Sequence, residues 1–386
     1  MRIGIDCRTI LNPEQGEAAG IGHYTYQLIR HLLKIDKKNE YLLFFDHRIK
    51  EEKMTKFLQP NSRVKFFPFI QYKRFLPITY SHLLITAFLN REKLDLYHSP
   101  IPHLPLFYLG ASVITIHDLA IYRYPQLFPS GQFFSLRIIV PQALKKAKKI
   151  IAVSESTKKD LEDFFKIAEK KIRVIYNGLD ERFLMRSTKE EIDRVKKKYN
   201  ISEPYILFLG TLEPRKNIER LIEAFENLHH KSPIAGDLKL VIVGKEGWGV
   251  KKIYKKVRQS FHKKAIIFTN YLEVDDLNPL FEEARAFVYP SLYEGFGLPI
   301  IEAMAKGVPV VTSKQAGSLE EITKGAALLV NPYDPEDIAR GIEKVLTDKD
   351  LAQDLIEKGQ LRARDFSWDK CAKETLEVYE EAVKRG

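Results

Sequence analysis

Residues 291–313, with the sequence SLYEGFGLPIIEAMAKGVPVVTS, decide the fold because they join two predicted strands through one helix. An apolar run at 286–289 precedes the stretch and another covers 308–312, and short apolar runs of this kind indicate buried strands. Pro299 stands between them where a helix can begin, since the first helical position needs no amide hydrogen. Apolar residues then repeat at helical spacing until a glycine and a proline end the helix. The order strand, turn, helix, strand predicts an α/β protein.

The glycine turn inside this stretch predicts an anion site. Gly295 and Gly297 carry no side chains, so the backbone amides of Phe296 and Leu298 can approach a ligand closely. These amides precede a helix N-terminus, where negative charge is stabilised. We therefore expect the turn to bind a phosphate group.

Two carboxylates flank the turn. Glu294 enters it and Glu302 follows eight positions later, one turn into the predicted helix, so both can face one crevice. A carboxylate is a good acceptor for paired sugar hydroxyls. Together with the amides, the pair predicts a site for a nucleotide sugar. The alternative is an ordinary strand–turn–helix corner with solvated glutamates.

This stretch resembles the signature of the retaining glycosyltransferases of family 4, which have the GT-B fold. Two glutamates separated by seven residues around the core Gly-Phe-Gly-Leu-Pro carry the resemblance. It covers essentially the whole chain and is strongest between 207 and 313. The resemblance implies two Rossmann-like domains that face each other across a central cleft, with the acceptor on the first and the donor nucleotide on the second.

The length of 386 residues is sufficient for two domains with separate cores. We expect an N-terminal acceptor-binding domain at 1–182 and a C-terminal donor-binding domain at 183–365. The final helix, at 366–386, is expected to return to the first domain, as the resemblance implies.

A second corner in the C-terminal half predicts a diphosphate site. Arg215 and Lys216 follow an apolar run at 205–209 and precede a helical pattern, and adjacent cations at such a corner suit a pyrophosphate. The alternative is two solvated cations. The resemblance implies that both cations stabilise the leaving diphosphate, that Glu294 holds sugar hydroxyls, and that Glu302 binds the ribose.

Further donor contacts are expected at five residues near glycine turns and strand ends. Gly20 and Gly22 open a predicted helix after the first strand, which favours close approach of a phosphate, although a plain connection is the alternative. Gly244 ends a predicted strand and is expected to line the nucleotide site. The resemblance implies that Tyr271 and Leu272 lie at the base.

A histidine follows another predicted strand. His117 and Asp118 come directly after the apolar run at 113–116, and ligand groups in open α/β sheets lie at the carboxyl ends of strands. The resemblance places His117 near the donor sugar and the acceptor, with Asp118 as its supporting partner. Whether His117 acts chemically or only positions the substrate stays open.

Charge and aromatic residues cluster at 53–91, a segment with seven Lys or Arg, no Asp or Glu, and eight Phe or Tyr. Basic and aromatic residues together favour an anionic membrane leaflet, with Lys73 and Arg74 as contacts. Core aromatics with incidental surface lysines are the alternative. The net charge of +11 favours anionic partners without naming one.

The two cysteines, Cys7 and Cys371, lie far apart and predict neither a disulfide framework nor a zinc site. No signal peptide is recognisable, and no apolar run is long enough to span a bilayer. We expect a cytoplasmic protein, either free or peripheral on the inner face of the plasma membrane. The resemblance implies no essential metal and no other cofactor, and the Asp-x-Asp at 348–350 lies in a polar segment.

The expected activity is retaining transfer of a hexose from a nucleotide-diphosphate sugar to a glycan or lipid-linked acceptor in surface polysaccharide synthesis. The sequence around Glu213, Trp248 and the Ala-Gly-Ser at 316–318 resembles the mannosyl branch, so GDP-mannose is the first expectation for the donor. The alternatives are a nucleotide-sugar epimerase or phosphorylase on the same fold, and a non-enzymatic binder of anions or membranes. The last leaves Glu294 and Glu302 unexplained. No nucleic acid partner is expected.

Overall fold

The computed structural model describes residues 1–11, 20–67, 78–131, 135–201, 203–270, 272 and 274–384. Its backbone divides into two compact units. Unit 1 consists of Met1–Leu119, Ser130–Gly178 and Ser367–Gly386. Unit 2 consists of Ala120–Pro129 and Leu179–Phe366.

Unit 1 contains a seven-stranded sheet in the order β3-β2-β1-β4-β5-β6-β7, and every neighbouring pair is parallel. The strands are nearly continuous apolar runs because both faces of a parallel sheet are covered. Their bounds are β1 Arg2–Asp6, β2 Glu40–Asp46, β3 Ser62–Phe67, β4 Leu96–Ser99, β5 Ser112–Ile116, β6 Lys149–Ala152 and β7 Ile172–Val174.

Unit 2 contains a six-stranded parallel sheet in the order β10-β9-β8-β11-β12-β13. Its strands are β8 Tyr205–Leu209, β9 Lys239–Val243, β10 Ile266–Asn270, β11 Ala286–Tyr289, β12 Val310–Ser313 and β13 Leu328–Val330. Strand β8 pairs in parallel with β11, so the corners that follow these two strands lie side by side at the carboxyl end of the sheet. This pairing brings the two predicted anion-binding corners together.

Helices connect the strands in both units. The helices are α1 Gly20–Ile35, α2 Ile78–Arg91, α3 Ala120–Arg123, α4 Val140–Lys146, α5 Glu155–Phe165, α6 Lys189–Tyr199, α7 Ile218–Lys231, α8 Val250–Gln259, α9 Val274–Glu282, α10 Leu298–Ala305, α11 Leu319–Thr323, α12 Pro335–Thr347, α13 Lys349–Ala363 and α14 Trp368–Val383. Ser154 caps α5 by accepting a hydrogen bond from the Thr157 amide. None of the helices in the described ranges is both long and apolar enough to cross a bilayer.

The C-terminal helix α14 packs on α1 in unit 1, and both contribute to its core. Trp368 is fully buried, and its backbone lies so close to Gly178 that a Cβ there would be 2.2 Å from the Trp368 amide nitrogen. The Nδ1 atom of His31 lies 2.6 Å from Oδ1 of Asp369 and links the two helices.

The structure differs from the expected boundaries in two places. The segment at 120–129, expected in the first domain, belongs to unit 2, and the chain passes from unit 1 to unit 2 at Gly178 rather than after 182. In addition, the helix that includes α4 is not regular, since a π-helical turn at Ser135–Ile139 interrupts it just before Val140. Pro141 explains the interruption because proline cannot donate inside a helix and fits only its first turn.

Candidate active site

The corner after β8 is held against the corner after β11. Asn217 adopts a left-handed backbone conformation, and its side-chain amide donates to the Pro290 carbonyl at 2.9 Å and the Pro332 carbonyl at 2.6 Å. The Leu292 amide donates to the Arg215 carbonyl at 2.8 Å. These bonds fix the two adjacent cations beside the strand that precedes the glycine turn.

Five buried or half-buried side chains form one polar group, which we call the Arg215 cluster: Glu213, Arg215, Lys216, Tyr289 and Glu294. Arg215 Nη1 donates to Glu294 Oε2 at 2.9 Å, and Lys216 Nζ donates to Glu294 Oε1 at 2.6 Å. Arg215 also donates to Glu213 Oε1 from Nη2 at 2.8 Å and from Nε at 3.0 Å. Lys216 Nζ donates to the Tyr289 hydroxyl at 2.6 Å. The structure therefore brings together three of the predicted catalytic residues.

Charge within the cluster is fixed by these contacts. Burial would raise the pKa of Glu294, but the adjacent Arg215 and Lys216 overcome it and hold that pKa at about 2. Burial lowers the pKa of Lys216, and the Glu294 carboxylate opposes that shift. Burial raises the pKa of Glu213, against the attraction of Arg215. Glu294 is thus ionised throughout the neutral range, with both of its oxygens on cations.

The backbone around Glu294 is fixed by residues 316–318. The Glu294 amide donates to the Ala316 carbonyl at 3.2 Å, and the Ser318 amide donates to the Glu294 carbonyl at 3.0 Å. Gly317 has φ +71°, and a Cβ there would lie 2.2 Å from the Glu294 carbonyl oxygen. Gly317 is therefore a positioning residue for Glu294.

Replacing Gly317 with alanine is expected to lower sugar transfer at least tenfold, because the new Cβ displaces the Glu294 backbone by steric contact. Gly325→Ala is the matched control, since Gly325 also has a positive φ, +85°, but has no atom within 4 Å of the added Cβ. Both variants should lose about 1 kcal/mol or more of stability from the left-handed backbone. Kinetics at saturating donor would contradict the assignment if both variants retained the wild-type rate.

Helix α10 begins at the glycine turn. Gly297, with φ +99°, is its N-cap residue and supplies no side-chain acceptor, so no side chain competes for the first-turn amides. Pro299 lies in the first turn, as predicted. The N-terminus of α10 is therefore suited to binding an anion. The donor-binding roles of Gly295, Phe296 and Leu298 stay predictions.

Glu302, on the same helix, has different charged neighbours from Glu294. It is 4% exposed, and burial together with the Asp180 charge raises its pKa to about 8, with Arg182 opposing. Asp180 itself accepts a hydrogen bond from Nε of Arg182 at 3.0 Å. At neutral pH Glu302 is therefore a protonated carboxyl that can donate as well as accept, whereas the sequence reasoning treated it as a carboxylate.

In unit 1, His117 follows β5 and lies against α1. Its Nε2 is 2.9 Å from the Pro100 carbonyl oxygen, and its ring is 4.6 Å from that of Tyr24. A carbonyl oxygen only accepts, so Nε2 carries the hydrogen and Nδ1 of the neutral ring is an acceptor. Burial lowers the pKa of His117 to about 4, although the Pro100 contact and Asp118 oppose it. His117 is thus neutral near pH 7.

The remaining predicted positions fall in several places. Gly20 is the first residue of α1, with φ +74°, and Gly22 lies in its first turn. Gly244 follows β9, and Leu272 is buried. Three predicted contacts lie outside the described residues: Tyr271, Lys73 and Arg74.

The segment at 120–129 adds residues that sequence reasoning missed. The Trp248 indole donates to the Leu127 carbonyl at 2.7 Å, and the Tyr124 ring lies 6.0 Å from that of Tyr293, next to Glu294. No local pattern signals this packing, because the segment is distant in sequence from the residues it contacts.

Both halves of the chain match known protein families. A family model described as glycosyl transferases group 1 matches residues 189–362, and one described as glycosyltransferase family 4 matches 18–183. O-antigen chain mannosyltransferase B of Escherichia coli is 30% identical over 368 residues, which cover 93% of this chain and 95% of that protein. O-antigen chain mannosyltransferase RfbU of Salmonella typhimurium is 29% identical over 263 residues, 68% of this chain and 67% of that protein.

Solved structures show the same architecture. Sucrose-phosphate synthase of Thermosynechococcus elongatus superposes with a TM-score of 0.78 at 21% identity, over 98% of both chains. The resemblance stated from the sequence is confirmed. The chain is a glycosyltransferase of family 4, in the group 1 glycosyl transferases, with the α/β GT-B fold.

Proposed function

We propose that this glycosyltransferase moves a mannosyl group from GDP-mannose, with retention of configuration, to a glycan or lipid-linked acceptor in surface polysaccharide synthesis. The observation that carries the proposal is the pairing of Arg215 and Lys216 with Glu294 beside the start of α10. The two relatives that are O-antigen mannosyltransferases support the choice of sugar.

The chemistry is electrostatic. When the sugar–phosphate bond breaks, negative charge develops on the diphosphate and the sugar becomes cation-like. Arg215, Lys216 and the amides at the start of α10 stabilise the leaving group. Glu294 holds sugar hydroxyls, and Glu302 binds the ribose. The acceptor oxygen attacks from the side that the diphosphate leaves, so configuration is kept and the acceptor proton passes to a diphosphate oxygen.

His117 supplies a neutral imidazole with Nδ1 as an acceptor. We propose that it accepts a hydrogen bond from a substrate hydroxyl. A positioning role predicts that His117→Asn keeps part of the activity, whereas a proton-transfer role predicts that it does not.

A panel of nucleotides tests the donor. GDP is expected to raise the melting temperature more than UDP, ADP or dTDP at equal concentration, since a ligand that binds only the folded state at a hundred times its Kd stabilises by about 2.7 kcal/mol. A larger shift with UDP would contradict GDP-mannose. Incubating GDP-mannose without acceptor separates transfer from epimerisation, because an epimerase needs no acceptor. The anomeric configuration of the product, read by NMR, tests retention.

No divalent cation is proposed to take part. Asp348, in the Asp-x-Asp, caps α13 by accepting a hydrogen bond from the Leu351 amide at 3.0 Å. Among the described residues, no three His, Cys, Asp or Glu side chains are grouped to hold a metal ion. Transfer should keep its rate in EDTA; loss of activity that manganese restores would contradict this.

We further propose that the enzyme works in the cytoplasm at the inner face of the plasma membrane, through the segment at 53–91. Its seven cations without a carboxylate support this. Replacing Lys73 and Arg74 with glutamine should weaken binding to anionic vesicles, and unchanged binding would refute a role for these two residues.

A further inference from the structure

A second one-sign surface lies on unit 2, on α8 and the turn that follows it. Residues 247–272 contain seven Lys or Arg and no Asp or Glu. Ile253 is the buried residue of α8, so the charged face of the helix points toward solvent. Six of the seven cations are exposed: Lys251, Lys252, Lys255, Arg258, Lys263 and Lys264.

These cations are not matched by acids. The seventh, Lys256, pairs with Glu223 at 3.0 Å, but within the described part of the chain no ion pair involves the six exposed ones. The other surface helices of unit 2 are mixed in sign; Arg340 of α12 pairs with Asp337 at 3.0 Å, and Lys358 of α13 pairs with Asp354 at 2.6 Å. The α8 surface thus carries positive charge that is not neutralised by ion pairs among the described residues.

An aromatic ring projects from the same surface. Phe261 is 90% exposed, three positions after Arg258 and two before Lys263. A phenyl ring left in water lacks the hydrophobic stabilisation that its burial would provide. The fold therefore presents an unburied apolar anchor surrounded by cations.

We propose that α8 and Phe261 dock on the anionic surface of a lipid bilayer. A basic helix face lies over anionic headgroups, and an aromatic residue at its end enters the boundary with the acyl chains. Charge complementarity supports a lipid surface. Single-stranded nucleic acid is less suited, because it is bound in grooves by several aromatic rings on which bases stack, whereas this surface presents one exposed ring, that of Phe261, just after α8.

This surface is separate from the proposed chemistry. None of the seven residues, six cations and Phe261, belongs to the Arg215 cluster, and none lies in the segment at 53–91. Membrane docking through α8 can therefore be tested independently of sugar transfer. It would give unit 2 its own membrane contact.

Flotation of the full chain with vesicles tests the proposal. Wild type is expected to bind vesicles of phosphatidylcholine with phosphatidylglycerol and not phosphatidylcholine alone. The triple variant Lys251→Gln, Lys255→Gln, Arg258→Gln should bind on the order of 100-fold more weakly, since each surface cation contributes roughly a factor of five. Phe261→Ser should weaken binding about tenfold, from the lost insertion of the ring.

The matched control removes the same charge elsewhere on unit 2. Lys197, Lys344 and Lys349 are exposed, and no ion pair of theirs occurs in the described ranges. Changing all three to glutamine should leave vesicle binding as in wild type. Equal losses in the control and in the α8 variant would show that net charge alone matters and would overturn the proposal.

Insertion of the ring has its own readout. In Phe261→Trp, vesicles should shift the added tryptophan emission to the blue, and brominated lipids should quench it beyond the change seen in wild type, which contains Trp248 and Trp368. An unshifted, unquenched signal overturns the proposal. The proposal is also overturned if the α8 variants still bind vesicles while the double variant Lys73→Gln, Arg74→Gln does not. It is overturned as well if wild type binds DNA but no vesicles.

Discussion

Glu294→Gln is expected to slow sugar transfer severely while leaving nucleotide binding at least as tight as in wild type. The carboxylate lies 2.9 Å from Arg215 and 2.6 Å from Lys216, so removing its charge frees both cations for a diphosphate. The same change removes the acceptor proposed for the sugar hydroxyls. We expect kcat to fall on the order of 100- to 1000-fold, with GDP affinity raised a few-fold. Steady-state kinetics and calorimetric titration measure the two effects.

One further variant and one stability measurement make this result interpretable. Glu294→Asp keeps the charge but shortens the side chain, so it should lose transfer without gaining GDP affinity. Because Lys216 is buried with Glu294 as a partner, thermal unfolding must first show that the glutamine variant is folded. A folded Glu294→Gln enzyme with wild-type turnover would contradict the proposed role.

Glu302→Gln is expected to stabilise the protein in alkaline solution. The folded state raises the pKa of Glu302 from 4.5 to about 8, so between these values the folded protein binds a proton that the unfolded chain has released. Stability must therefore fall as pH rises through this window. The glutamine variant lacks this loss and should gain up to about 4 kcal/mol near pH 8, and nothing near pH 4, where Glu302 is protonated in both states.

Urea unfolding at a series of pH values measures this difference. Glu190→Gln, at an exposed position on α6, is the control and should follow wild type at every pH. Nucleotide affinity should fall in Glu302→Gln although the fold is more stable, because the proposed ribose contact is altered. A stability difference that does not change with pH would show that Glu302 is not held protonated.

Local patterns were sufficient to predict the elements around the site. The apolar runs at 286–289 and 308–312 correspond to β11 and β12, and Pro299 marks the start of α10. The glycosyltransferase family and the GT-B fold were likewise predicted from the glycine turn and its two glutamates. These features depend on short-range spacing, which one sequence displays directly.

Long-range packing accounts for what could not be predicted. The protonation of Glu302 depends on Asp180, and the position of Glu294 depends on Gly317; neither partner is a sequence neighbour. The cations around α8 are visible in the sequence, but only the burial of Ile253 shows which face of the helix is exposed. The assignment of the segment at 120–129 to unit 2 likewise depends on tertiary contacts, which the sequence does not display.

The central claim is that the Arg215 cluster binds the diphosphate of the donor, and calorimetric titration of GDP tests it most directly. Wild type should bind GDP saturably, and Arg215→Ala should bind at least about tenfold more weakly, since a charge-assisted contact to an anion contributes roughly 1.5 to 3 kcal/mol. Arg340→Ala, which removes an exposed arginine of α12, should match wild type. Equal GDP affinity in wild type and a folded Arg215→Ala would contradict the account.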